Sequence, residues 1–88
     1  MTAGDRRPLV TVDARGLACP LPLTLAKRAM AGLEPGEVLT VLATDPEAPI
    51  DLAAWAAVEG HRYAERARDG FSEFELVRGP GGRGPAER

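Results

Sequence analysis

Cysteine, histidine and aromatic side chains are all scarce in this chain. Among 88 residues there is one cysteine, Cys19, and one histidine, His61. A lone cysteine excludes an internal disulfide, and one cysteine with one histidine is too small a ligand set for a structural Cys/His zinc site. No strand-like segment carries an aromatic platform of the kind on which bases stack. The formal net charge of -2 lacks the basic excess of a nucleic-acid or anionic-membrane footprint. No apolar run approaches the roughly 18 residues that a membrane-spanning helix requires. The opening MTAGDRR has no apolar stretch of a secretory signal, which argues for a cytoplasmic location.

What is present suits one small domain. Apolar residues make up 44% of the chain, enough for a compact core. Residues 1–7 are small and polar and read as a disordered leader. Residues 79–88, GPGGRGPAER, read as a flexible tail, which leaves residues 8–78 as the folded unit. Four segments have strand character: 9–12, 38–43, 62–67 and 71–77. VLTVLA at 38–43 is nearly continuous in apolar character, as in a central strand covered on at least one face. Phe74 and Leu76 fall on one face of the last segment, and Asp69-Gly70 before it is a hairpin signal.

Two helices fit between these strands. The first is expected over residues 20–31, with Leu23, Ala26, Met30 and Leu33 forming a core stripe and Lys27 and Arg28 off it. Glu34-Pro35-Gly36 ends it. The second is expected over residues 49–59, with Asp51 in its first turn and Gly60 as its stop. Right-handed crossovers then give a two-layer α/β sandwich of order β-α-β-α-β-β. Its four-stranded mixed sheet carries both helices on one face.

The chemistry-bearing stretch is DARGLACPLP, residues 13–22. Cys19 falls where a strand-to-helix loop meets a helix expected to begin at Pro20. Pro20 restricts the backbone of Cys19, which would make Cys19 the N-cap and Pro22 the third helical residue. The N–H groups of Leu21 and Leu23 would remain near the sulfur. The positive end of the helix dipole, with Arg15 four residues upstream, is expected to lower the thiol pKa from its usual value of about 8.5. A buried apolar cysteine is the competing reading.

VDARGLACPLP resembles the Cys-Pro-x-Pro signature of the TusA/SirA-like sulfurtransferase family. Further likenesses follow in order: Glu34-Pro35-Gly36-Glu37, Asp45-Pro46, the Asp51, Leu52 and Trp55 pattern, and Gly60-His61. The resemblance implies the same two-layer sandwich. It also implies a sulfur carrier whose cysteine, here Cys19, takes up sulfane sulfur as a persulfide and passes it on. Arg15, Gly16, Leu17, Pro20 and Pro22 would shape its loop. The implied partners are a protein donor, of cysteine desulfurase or rhodanese type, and a protein acceptor. No metal, organic cofactor, stable nucleic-acid partner or membrane is implied. Many family members carry a second cysteine where this chain has Ala56, which leaves single-thiol carriage as the expectation.

The remaining candidates have ordinary readings. His61 is read as a turn cap rather than a base, and Trp55 as a packing anchor. Asp51 is read as a helix-start acid rather than a general acid. Lys27 and Arg28 form a solvated face or a docking patch for an acidic partner. The alternative to a carrier is a regulatory or binding module of the same fold. An RNA-binding role rests on fold analogy alone.

Overall fold

A computed structural model of the chain describes residues 9–80. The elements are β1 (Leu9–Ala14), α1 (Leu21–Met30), β2 (Val38–Ala43), α2 (Ala48–Glu59), β3 (Arg62–Ala67) and β4 (Ser72–Val77). They form one mixed sheet in the order β1-β2-β4-β3. β1 and β2 run parallel, and β4 is antiparallel to both β2 and β3. This is the expected fold, with β2 central.

The register explains the core. Val12 aligns with Val41 and Val41 with Phe74, while Val10 aligns with Leu39 and Leu39 with Leu76. Side chains alternate across a strand, so these residues share one face. Leu39, Val41, Phe74 and Leu76 are fully buried there. α1 packs over β1 and β2, and α2 over β3 and against α1. Each helix contributes a row at four-residue spacing: Pro22, Ala26 and Met30 from α1, and Ala48, Leu52 and Ala56 from α2. The opposite sheet face carries the polar residues Thr11, Thr40 and Glu75, in register with one another and with Ala64.

Several boundaries differ from expectation. Pro20, not Cys19, is the N-cap of α1. The Leu21 N–H donates to the Ala18 carbonyl at 2.9 Å, closing a turn ahead of the helix, and Thr24 N–H makes the first helical bond to the Pro20 carbonyl. Cys19 therefore lies in the turn, and Leu21 has no free N–H to offer the sulfur. Pro22 is the second helical residue, where its missing N–H costs no helix bond. Its ring is buried and joins the core stripe, in which Leu23 is only half-buried. α2 starts one residue early, at Ala48, and ends as expected at left-handed Gly60.

The other correction concerns the end of the folded unit. Arg78 caps the end of α1, its Nη1 donating to the carbonyls of Met30 at 2.7 Å and Leu33 at 2.8 Å. Gly79 follows it into the structure. It is buried, and its N–H donates to His61 Nδ1 at 2.9 Å. The tail expected from Gly79 thus begins no earlier than Pro80. The leader expected over residues 1–7 and the tail over residues 81–88 lie outside the described residues.

Candidate functional site

Parallel pairing decides where the site forms. β1 and β2 end side by side, with Ala14 opposite Ala43. The β1–α1 and β2–α2 loops therefore leave the same edge of the sheet, and both helices begin there. Gly16 ties the loops together: its N–H donates to Thr44 Oγ1 at 2.9 Å. Gly16 has φ 83°, a left-handed geometry that disfavours any residue with a Cβ. Leu17 anchors the loop from the other side, with its N–H on the Ala14 carbonyl and its side chain against the core.

Cys19 is the free thiol of this edge and is solvent-exposed. Exposure removes the reading of Cys19 as a buried apolar residue. Its Sγ donates to Asp51 Oδ2 at 3.2 Å. Asp51 does occupy the first turn of α2, as expected. There it meets the start of α1, a contact between residues 32 apart in sequence.

The electrostatics run opposite to expectation. The thiol pKa is raised, first by the hydrogen bond to Asp51, then by desolvation, then by the negative charges of Asp51, Asp45 and Glu47. Arg15 does not offset this. Its Nε and Nη2 each donate to a different carboxylate oxygen of Asp13, both at 2.8 Å, and its guanidinium lies 4.9 Å from the centre of the Phe71 ring. The fork holds the Asp13 carboxyl down at about 2. Arg15 is thus a clamp on the loop rather than a counter-charge for the thiol.

Beside Asp51 runs a groove of about 350 Å³ between the helices, lined by Leu23, Lys27, Asp51, Ala54, Trp55, Val58 and Glu59. Lys27 belongs to this groove, whereas Arg28 sits exposed on α1 outside its lining. Leu21 and Ile50, one at the start of each helix, are exposed apolar side chains. Trp55 packs on the core and meets His61 edge to face at 5.2 Å. His61 lies at the far end of α2, its N–H on the Ala56 carbonyl, and is a turn residue as read from sequence. Burial and Arg78 lower its pKa. Among the described residues no cluster of His, Cys, Asp and Glu has the geometry of a metal site.

The residue missed by sequence reading is Asp51 in its contact with Cys19. The usable signal was topological: consecutive parallel β-α units bring the first turns of their helices together.

Known proteins resemble this one along nearly the whole described unit. A putative sulfur carrier protein of Neisseria meningitidis is 53% identical over 68 residues, covering 76% of this chain and 89% of that protein. The sulfur carrier protein TusA of Allochromatium vinosum is 41% identical over 67 residues, covering 76% and 88%. The putative sulfur carrier protein YrkF of Bacillus subtilis is 44% identical over 61 residues, but the match spans only 33% of that longer protein. The crystal structure of a SirA-like protein from Desulfitobacterium hafniense superposes with a TM-score of 0.74 at 36% identity, covering 80% of this chain and 97% of that one. The family model for sulfurtransferase TusA matches residues 10–77. By sequence and fold alike, the chain belongs to the TusA sulfurtransferase family.

Proposed function

We propose that this chain is a sulfur carrier whose Cys19 holds sulfane sulfur as a persulfide between a donor protein and an acceptor protein. The observation that carries this reading is the exposed Cys19 thiol, set in a turn at the edge where both helices begin. In loading, Sγ attacks the sulfane sulfur of a donor persulfide and the donor's own cysteine sulfur leaves with the bonding electrons. In unloading, an acceptor thiolate attacks the sulfane sulfur and Sγ leaves. Each step exchanges one S–S bond for another, so the exchange needs no redox cofactor or metal.

The donor class is a cysteine desulfurase or rhodanese-type protein, and the setting is the cytoplasm. Docking draws on exposed Leu21 and Ile50, one at the start of each helix, on Lys27 in the groove beside Asp51, and on exposed Arg28 of α1. Gly16, Leu17 and Pro20 hold the loop, Arg15 clamps it to Asp13, and Pro22 fixes it to the core.

The test is Cys19→Ser, which keeps nearly the same size and puts a hydrogen-bonding hydroxyl in place of the thiol. The variant should melt within a few degrees of the native chain and gain no sulfur, by intact mass, after incubation with glutathione persulfide. Sulfur addition at the native level would refute the assignment.

A further inference from the structure

Sγ of Cys19 approaches one carboxylate oxygen, Asp51 Oδ2, at 3.2 Å. The separation suits a thiol donating to a carboxylate, and it holds the proton between the two groups. The other charges facing this thiol are Asp45 and Glu47, from the loop leading into α2. On the α1 side Lys27 lines the groove that Asp51 also lines, and Arg15 is engaged by Asp13. Left alone, such surroundings keep the thiol protonated. A sulfur nucleophile needs that proton removed as its bond forms, and the group in contact with it is Asp51.

We infer that Asp51 is a catalytic residue of sulfur transfer, accepting the Cys19 proton on loading and returning it on unloading. The inference rests on the carrier reading above. In loading, the Sγ lone pair forms a bond to the donor's sulfane sulfur. The donor S–S bond breaks, its electron pair stays on the donor cysteine as thiolate, and the Sγ proton passes to Oδ2. In unloading, the acceptor thiolate bonds to the sulfane sulfur. The Sγ–S bond breaks, and the electron pair left on Sγ takes the proton back from Oδ2. No net charge or electron is gained by the carrier over the cycle. The arrangement also explains how an exposed thiol stays protected when no partner is docked, since the thiolate is the form that oxidises.

Asp51→Asn separates a proton acceptor from a mere electrostatic brake. The amide keeps the shape and a hydrogen-bond acceptor but not the negative charge or the basicity. With the full chain, two quantities are measured: the pH midpoint of Cys19 alkylation, and the rate of sulfur loading from glutathione persulfide at neutral pH. The alkylation midpoint should fall, because the charge that disfavours thiolate is gone. The loading rate should nonetheless drop about tenfold or more, within the range of a lost general base. Asp51→Glu should recover a substantial part of that rate. Equal or faster loading in Asp51→Asn, or an unmoved alkylation midpoint in folded Asp51→Asn and Asp51→Glu alike, would overturn the inference. The native chain is the control for the carrier reading: if it takes up no sulfur, that reading fails, whereas loss confined to the Asp51 variants speaks to Asp51 alone.

Discussion

Two carboxylates in the same edge of the fold each raise the pKa of the group they meet, which favours the charged form of Arg15 and disfavours the charged form of Cys19. Asp13 is met by a guanidinium through two hydrogen bonds, and its pKa falls from 3.8 to about 2. Asp51 is met by a thiol, and that contact raises the pKa of Cys19. The first pairing has a direct signature. Because the folded pKa of Asp13 is depressed, the stabilisation from its clamp is fully present above pH 3.8. It is lost as pH falls through about 2. The carboxyl resonance of Asp13 should therefore titrate near 2 by NMR, and Arg15→Ala should return the midpoint toward 3.8. A midpoint unmoved by that substitution would contradict the clamp. Both groups are exposed, so the consequence lies in loop order around Cys19 more than in global stability.

Elements are joined by a strap at the other end of α2. After β4 the chain places Arg78 under the last turn of α1 and Gly79 beside Gly60 and His61. His61 Nδ1 accepts the Gly79 N–H, which requires the neutral imidazole favoured by its lowered pKa. Only glycine fits at 79, because a Cβ there would run into the Gly60 carbonyl oxygen. Gly79→Ala should cost about 1–3 kcal/mol, the usual range for forced overpacking. A urea midpoint equal to that of the native chain would show that the strap does not pack. The same feature moves the start of the expected tail past Gly79. GPGG is a flexible composition when read alone, yet its first residue fills a backbone gap that only the α2–β3 turn creates.

At the scale of the whole molecule, one sheet face and two helices supply the core, so a few large side chains carry much of its stability. Phe74 is fully buried on β4, beside Val41 of β2, and stacks on Tyr63 with ring centres 6.0 Å apart. Phe74→Ala should cost about 3–5 kcal/mol. Against the roughly 5–15 kcal/mol of an ordinary domain, that brings the chain close to unfolding. Chemical denaturation reads this directly, and a shift below about 1 kcal/mol would mean that the core can close over the gap.

The sequence by itself determined the strands, the helices and the thiol-bearing loop, because those signals are local. Alternation at Phe74 and Leu76, the VLTVLA run, the Asp69-Gly70 turn and the Gly60 stop each act through neighbouring residues, and all appear in the structure where the residues place them. Tertiary structure alone decided the environment of Cys19. Along the chain, the helix dipole and Arg15 predict an easily ionised thiol. The fold instead commits Arg15 to Asp13 and delivers Asp51 to Sγ from 32 residues away. Charge acts through space, and the neighbours of Cys19 in space are set by the parallel pairing of β1 with β2, which brings the starts of the two helices to one edge.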